Sequence, residues 1–521
     1  MSKRPNILFL MADQLAAQAL PCYGHPVVKA PHLSRLAERS VVFESAYCNF
    51  PICAPSRSSM LSGLLPHSIG AYDNAAEFPA EIPTVAHYLT AQGYRTILCG
   101  KMHFIGPDQL HGFEERLTTD IYPSDFAWTP DFLRGPAYRP TGVSMRPVVE
   151  AGARVRSLQI DYDDEVEYHG TQKLYDLARS PDDQPFFLTM SFTHPHPPFV
   201  TGREHWDRYR HDEIDMPTVA PIPYEALDPH SQRLHVAHAQ NIYDVTPEHV
   251  RNARHAYYGM VSYIDDKIGR ILKVLTDCGL AKDTIVVFAV DHGEMLGEGG
   301  MWFKQTFFEW SARVPLMIAA PGIAARRSGA HVSLVDLLPT LLDLAGNGAL
   351  VEPMELAQPL HGRSLVPLMT GADKGDDRVV ISEYSSEGVR AASRMVRRGK
   401  YKYVYTRGLA PMLFDLEADP LELHDLAGSA HAAQVEAELK SLALTDWDPE
   451  RVHTEILASQ KRRPFLAAVA ERSGRYPNRA FQPHVDESKR YVRGAGSAGA
   501  TAVKGRARLP FVAPAKPDHT E

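Results

Sequence analysis

A thiol and a cation lie close together in the segment Cys53-Ala54-Pro55-Ser56-Arg57, which Leu61-Ser62-Gly63 follows. Cys53 could act as a nucleophile beside the positive charge of Arg57. The proline predicts a helix that begins here, with Cys53 at or just before its N-terminus, where free backbone amides favour a sulfate or phosphate ester. An alternative stays open at this point, because isolated cysteines are usually small buried apolar residues.

A second set of residues could bind a metal ion. Asp13 and Gln14 follow the apolar run 6–11, and Asp291 and His292 follow the apolar run 284–290. Carboxylate and amide oxygens suit a hard divalent cation such as calcium, magnesium or manganese, although histidine is a less natural ligand for calcium. In the alternative interpretation, each carboxylate only caps a neighbouring helix.

A third set consists of cations and proton carriers: Arg57, Lys101, His103, His194 and Lys304. Together they could neutralise a tetrahedral oxyanion and protonate a leaving group. Singly, Lys304 could be a surface residue, and His194 could hydrogen-bond to its own proline-rich turn. No Cys-His-Asn or phosphatase-type signature supports an ordinary thiolate at Cys53.

The scaffold must bring these residues together. Apolar runs predict buried strands at 6–11, 94–100, 185–192 and 284–290, a further strand at 41–47, and helices at 31–40, 84–92, 164–178, 247–275 and 332–344. This alternation indicates an α/β fold with a large, mixed but mostly parallel sheet flanked by helices. Ligands collect at the carboxyl ends of such strands. Asp265 and Asp266, on the 247–275 helix, are interpreted as part of a solvated face.

The domain prediction has three parts. Residues 1–375 form the catalytic domain, and 376–455 form a smaller α+β domain, because 395–398 and 401–405 alternate like an antiparallel hairpin. Residues 456–521 are a C-terminal extension, interpreted as an oligomer contact that is mobile beyond about 494.

Composition narrows the function classes. The 521 residues are 44% hydrophobic, which indicates a globular protein. Their net charge of −8 gives no overall positive electrostatic potential that would attract nucleic acid or anionic membranes. Five irregularly spaced cysteines argue against a disulfide framework or a zinc site. No signal peptide or membrane-spanning run is recognised, so we expect a cytoplasmic protein.

The segment around Cys53 resembles the Cys-x-Pro-x-Arg…Leu-Thr-Gly signature of type I sulfatases of the alkaline phosphatase superfamily. Further family segments occur in the family's order: Asp13-Gln14, Gly100-Lys101-Met102-His103, Asp291-His292-Gly293, and Leu413-Phe414-Asp415-Leu416 with Asp419-Pro420. Within that family the chain is most similar to choline sulfatases, through runs such as Gly106-Pro107-Asp108-Gln109-Leu110-His111 and Asp228-Pro229-His230-Ser231-Gln232-Arg233. It departs from them at 139–147, where the subfamily has more aromatic residues and histidines.

The resemblance implies that Cys53 is oxidised to formylglycine by a maturation enzyme. One hydroxyl of the aldehyde hydrate attacks sulfur, and the other later expels sulfate. The implied metal ligands are Asp13, Gln14, residue 53, Asp291 and His292, which hold one divalent ion, with calcium favoured and magnesium or manganese as alternatives. The resemblance also implies five catalytic residues besides residue 53. Arg57 and Lys101 would stabilise the modified residue and the sulfate, and Lys304 would bind sulfate oxygens. His194 would protonate the leaving oxygen, and His103 would assist deprotonation of the hydrate.

The expected substrate is a small alkyl sulfate, choline-O-sulfate above all. A quaternary ammonium requires an aromatic face and a carboxylate. Trp128 and Glu387 are the candidates, with Asn74 as a further pocket residue. The alternatives are a related phosphonate or phosphate monoester hydrolase, an arylsulfatase, and a non-catalytic anion-binding protein. We also expect a homo-oligomer, either a dimer or a tetramer, in which the 456–493 segment of one subunit closes another subunit's site.

Overall fold

The computed structural model describes residues 4–122, 126–180, 184–346 and 356–472. The fourteen strands in this part of the chain are β1 (Asn6–Ala12), β2 (Val41–Tyr47), β3 (Arg95–Gly100), β4 (Glu115–Arg116), β5 (Gly152–Ala153), β6 (Phe186–Ser191), β7 (Val200–Thr201), β8 (Thr284–Val290), β9 (Leu316–Ala319), β10 (Arg326–Ser333), β11 (Val379–Tyr384), β12 (Ser393–Arg398), β13 (Tyr401–Thr406) and β14 (Met412–Asp415).

The described α-helices are α1 (Pro31–Ala37), α2 (Cys53–Ser62), α3 (Pro66–Ile69), α4 (Val85–Ala91), α5 (Arg146–Val149), α6 (Leu158–Arg179), α7 (Arg203–Trp206), α8 (Pro229–Ala237), α9 (Pro247–Asp277), α10 (Glu309–Ala312), α11 (Leu337–Ala345), α12 (Val366–Thr370), α13 (Ala433–Leu444) and α14 (Pro449–Arg472). No helix in the described ranges is both long and apolar enough to cross a membrane.

The main sheet has eight strands in the order β10-β2-β9-β8-β1-β6-β3-β4. All neighbours are parallel except at β9, which runs antiparallel to β2 and to β8. The central strands β8, β1 and β6 are buried along their whole length, as a sheet covered on both faces requires. The predicted α/β class with a mixed, mostly parallel sheet is therefore confirmed.

The second sheet is small and antiparallel, with the order β11-β12-β13-β14. Its central hairpin pairs Met395 with Val404 and Arg398 with Tyr401, which confirms the predicted hairpin. Both sheets lie within the unit 1–480, and 481–521 is outside the described residues. The boundary at 375/376 stays a prediction, as does the role of the extension beyond 472.

Helix ends differ from the predictions in several places, since α1 ends at Ala37 and α6 begins at Leu158, and two differences have a clear physical reason. The helix predicted at 332–344 starts later, because Val332 and Ser333 end strand β10, where they pair with Ala46 and Tyr47. Asp265 is fully buried instead of solvated, and its carboxylate accepts the backbone N–H groups of His32 and Leu33, 3.0 and 2.6 Å away. It therefore caps the first turn of α1.

Candidate active site

Cys53 is the first residue of α2, which confirms its predicted place at the helix N-terminus, and this helix is buried throughout. The Ala54 N–H donates to Asn74 Oδ1 over 3.0 Å. The Cys53 sulfur lies 3.2 Å from His292 Nε2 and 3.7 Å from Lys101 Nζ. This residue therefore lies at a helix N-terminus, within contact of a cation and a histidine.

Arg57 lies one helical turn after Cys53 and contacts the ends of four strands. Its Nη2 donates to Asp13 Oδ2 over 2.9 Å, and its Nε donates to Asp291 Oδ2 over 2.8 Å. Its Nη1 reaches the Lys101 carbonyl and the Ser191 hydroxyl, at 2.7 and 2.8 Å. Burial opposes the charge on Arg57, but the two carboxylates outweigh burial and raise its pKa. The guanidinium therefore fixes β1, β3, β6 and β8 relative to one another.

The residues Asp13, Cys53, Asp291 and His292 form a buried cluster in which one candidate ligand atom from each lies within 4.8 Å of the others. Burial opposes ionisation of Asp13, but Lys101, His196 and Arg57 hold the pKa of its carboxyl well below the usual value. Burial lowers the pKa of His292, which keeps the imidazole in the neutral form that metal ions bind. Two carboxylates, an imidazole and residue 53 fit a divalent cation.

Gln14 adopts a left-handed backbone conformation, with φ of 62°. Its backbone N–H donates to Asp291 Oδ1 over 3.1 Å. Its side-chain oxygen accepts from Lys304 Nζ, and its side-chain nitrogen donates to Glu294. Gln14 thus connects Lys304 to the acidic cluster, and its role as a metal ligand stays a prediction.

Lys101 and His103 follow β3, where the chain passes very close to β6. A side chain on Gly100 would place its Cβ 2.0 Å from the Ser191 carbonyl oxygen, so glycine is required there. Lys101 Nζ lies 2.5 Å from Asp13 Oδ2. The Asp120 carboxylate accepts the His103 backbone N–H over 2.6 Å, and His103 has φ of 60°. Asp120 therefore holds the turn that presents both side chains.

The loop after β6 contains two histidines with different surroundings. His194 Nδ1 lies 2.6 Å from Asp163 Oδ2, and its ring packs on Tyr263 at 4.7 Å between centroids. His196 instead lines the cavity that contains Cys53. Its Nδ1 lies 2.7 Å from the Pro197 carbonyl oxygen, which can only accept, so this nitrogen carries a proton. The structure thus favours His196 over the predicted His194 as the histidine that faces a substrate.

The cavity has a volume of about 530 Å³. Seven of the thirteen predicted site residues line it: Cys53, Asn74, Lys101, His103, Trp128, Lys304 and Glu387. Five more form its support around the acidic cluster: Asp13, Gln14, Arg57, Asp291 and His292. Only His194, of the predicted set, neither lines the cavity nor contacts that cluster through its side chain in the interactions the structure records among described residues.

Sequence reasoning missed several cavity residues, including His196, Tyr122, Thr141 and Gln159. The Tyr122 ring lies 4.5 Å from Lys101 Nζ, and its hydroxyl accepts from Gln159 Nε2 over 3.0 Å. His196 lies in the same proline-rich turn as His194, His194-Pro195-His196-Pro197-Pro198, and their spacing does not show which of the two histidines faces the cavity. Tyr122 lies in an irregular segment after β4, and no pattern in the sequence around it indicates that it faces the cavity.

Helix α14 reaches the site from the C-terminal side of the chain. Arg463 donates to both oxygens of the Asp73 carboxylate, over 2.6 and 2.7 Å. The Tyr72 hydroxyl donates to Glu455 over 3.0 Å. Residues 456–472 of the predicted extension therefore support the loop that carries Asn74 within the same chain.

Known proteins are similar to this chain in sequence and in fold. A sulfatase family model matches residues 5–347, and a model of the C-terminal region of N-sulphoglucosamine sulphohydrolase matches 297–446. The chain belongs to the sulfatase family, in the alkaline phosphatase superfamily. It is a sulfuric ester hydrolase.

Individual relatives support this assignment. Choline-sulfatase of Rhizobium meliloti (strain 1021) is 45% identical over 498 residues, which cover 94% of this chain and 96% of that protein. Human arylsulfatase K is 30% identical, with 82% and 79% covered. The crystal structure of the phosphonate monoester hydrolase of Agrobacterium radiobacter superposes with a TM-score of 0.68 at 25% identity, over 85% of this chain and 95% of that one.

Proposed function

We propose that the enzyme hydrolyses choline-O-sulfate to choline and sulfate. The observation that carries the proposal is the composition of one cavity, in which Cys53, Lys101 and Lys304 occur together with the indole of Trp128 and the buried carboxyl of Glu387. Cations suit the sulfate group, and an aromatic face with a carboxylate suits a quaternary ammonium. The 45% identity to a choline-sulfatase supports the same substrate.

Formylglycine formed from Cys53 would supply, as its hydrate, a hydroxyl that attacks sulfur and a second hydroxyl that allows sulfate to leave. A divalent ion held by Asp13, Asp291, His292 and residue 53, with Gln14 as a further predicted ligand, would supply positive charge beside the sulfate. Calcium is the proposed ion, with magnesium and manganese as alternatives.

The chain's own side chains perform the remaining tasks. Lys101 and Lys304 neutralise the sulfate oxygens, and Arg57 keeps the Asp13 and Asp291 carboxylates in place. Because its proton is on Nδ1, which is engaged with Pro197, His196 has Nε2 free to accept the proton of the attacking hydroxyl and pass it to the leaving oxygen. His103 lies in the same cavity and assists proton removal from residue 53.

The test begins with the state of residue 53. Mass spectrometry of the peptide that contains Cys53 gives the fraction converted to formylglycine. Sulfate release is then measured from choline-O-sulfate and from 3,3-dimethylbutyl sulfate, in which a tert-butyl group replaces the trimethylammonium group. We expect a higher kcat/KM for choline-O-sulfate. Converted enzyme that releases no sulfate from the choline ester would overturn the proposal.

A phosphonate monoester hydrolase activity is the second candidate, because the structural neighbour from Agrobacterium radiobacter bears that name. A phosphonate monoester is also a singly charged anion, so the same cations could hold it. Comparing kcat/KM on a sulfate and a phosphonate ester of one alcohol separates the two activities. The cytoplasmic location, the maturation enzyme and the dimer or tetramer also belong to the proposal, and solution mass measurement checks the oligomer.

A further inference from the structure

The stretch 139–147, which departs from the choline sulfatase pattern, forms a wall of the active-site cavity. Six of its residues line that cavity: Thr141, Gly142, Val143, Ser144, Arg146 and Pro147. The wall has little regular structure before the short helix α5. One side chain in it makes a direct contact with a predicted substrate-binding group.

That side chain belongs to Thr141. Its backbone N–H donates to Glu387 Oε1 over 3.1 Å, and its hydroxyl lies 2.9 Å from Oε1 and 2.8 Å from Oε2. The Glu387 residue is 4% exposed. A buried carboxylate needs hydrogen-bond donors to remain charged, and Thr141 directs two donors at this one.

The surroundings leave the charge of Glu387 finely balanced. The pKa of Glu387 is raised to about 7, mainly by burial and also by Asp73, while the two donors of Thr141 and the charge of Lys304 act in the opposite direction. The Tyr384 hydroxyl is directed at the Glu387 backbone carbonyl, 2.8 Å away, and therefore does not help the carboxylate.

We propose that Thr141 is a positioning residue that keeps Glu387 ionised and turned toward the substrate, and so sets the enzyme's preference for cationic over neutral sulfate esters. The inference rests on the proposed function, since it assumes that Glu387 meets the cationic end of the substrate. Thr141 itself touches Glu387 and acts through it.

The test compares Thr141→Val and Thr141→Ser with the wild-type enzyme on choline-O-sulfate and on 3,3-dimethylbutyl sulfate. Valine keeps the shape of threonine and removes the hydroxyl, and serine keeps the hydroxyl. Loss of a hydrogen bond to a charged group predicts that Thr141→Val raises KM for the cationic ester about tenfold at neutral pH. The KM of the neutral ester should change much less, and Thr141→Ser should restore the wild-type ratio.

The pH profile separates this role from a purely structural one. KM for the choline ester should rise as pH falls through about 7, because protonated Glu387 loses its attraction for a cation. In Thr141→Val this rise should begin at a higher pH, so the difference from wild type should narrow in alkaline buffer. Thr370→Val, the same change at an exposed threonine of α12, is the control for general effects.

The outcomes are distinguishable. A wild-type enzyme that treats the two esters alike overturns both the cationic substrate and the role of Thr141 in selecting it. A wild-type preference for the choline ester that survives unchanged in Thr141→Val, with an unchanged pH profile, overturns the role of Thr141 alone. Thermal unfolding of each variant shows whether a loss of activity in Thr141→Val reflects misfolding. If it does, the role of Thr141 is judged from Thr141→Ser, which keeps the hydroxyl and should keep the wild-type ratio of KM values.

Discussion

Removing Arg463 should destabilise the enzyme and impair its active site together. Arg463 pairs with Asp73 through two hydrogen bonds, and the Asp73 side chain has no solvent exposure. Arg463→Met would leave that carboxylate buried without its cation. Breaking a buried ion pair by removing one partner costs about 3–5 kcal/mol. Since natural proteins are marginally stable, we expect a clear drop in resistance to urea.

The effect on activity follows from the neighbouring residue. Asp73 precedes Asn74, and Asn74 Oδ1 accepts the N–H of Ala54 at the start of α2, next to Cys53. A carboxylate that moves toward water would displace this loop from α2. We therefore expect Arg463→Met to lower kcat/KM even at temperatures where the variant stays folded.

Urea unfolding of Arg463→Met, Asp73→Asn and the double variant provides the double-mutant cycle. The double variant should be more stable than Arg463→Met, because it removes the uncompensated charge, and the coupling energy should be about 3 kcal/mol. Arg462→Met is the matched control, since Arg462 is the exposed neighbour on the same helix. Equal stability of Arg463→Met and Arg462→Met, or a coupling energy near zero, would refute the reasoning.

Three further predictions concern the site and its support. His196→Gln should slow the hydrolysis of alkyl sulfates more than that of aryl sulfates, because aryl leaving groups need no proton. His194→Gln should slow both classes alike. Plots of log kcat/KM against the pKa of the leaving alcohol or phenol measure the difference. A chelator should abolish sulfate release and lower the unfolding temperature, since it leaves the acidic cluster around Asp13 without a cation; divalent ions should reverse both effects, and metal analysis identifies the native ion. Burial opposes the ionisation of Glu383, but His67 and Arg394 hold its pKa at about 2, below its usual 4.5. The ionised carboxylate therefore contributes roughly 3 kcal/mol to the free energy of unfolding above pH 4.5, and this contribution is lost as pH falls toward 2. In acid-unfolding curves, Glu383→Gln should show a smaller loss of stability over that range than the wild-type enzyme.

The sequence predicts the centre of the main sheet closely, because fully buried strands appear as continuous apolar runs. β8 matches its predicted range, β1 and β3 differ from theirs by one residue at one end, and β6 is one residue shorter than predicted at each end. Strand β10 does not appear as such a run, since its first residues, Arg326 and Arg327, are exposed at the edge of the sheet. The apolar pattern therefore places Val332 and Ser333 in the following helix, although they belong to β10.

Burial of single polar residues is harder to predict than the strands. Asp265 carries the same charge as its neighbour Asp266, and helical spacing alone does not show that the first turn of α1 packs against Asp265. The two histidines after β6 present the same difficulty. Asp163, which engages His194, comes from α6, some thirty residues earlier in the chain. Such pairings depend on packing between distant elements, which no local pattern encodes.

The two halves of the active site are built in different ways, and the proposed contacts to the sulfate and to the alcohol divide between them. The sulfate half stands on the carboxyl ends of central strands and on α2, and Arg57 joins those elements in one hydrogen-bonded unit. The alcohol half comes from loops with only short helical turns, where Thr141 meets Glu387. Changes in the second half leave the sheet and its strand ends intact. Relatives that differ in their substrate names can therefore keep the same sulfate half, and substrate choice in this chain should be sought in 126–151 and 385–388.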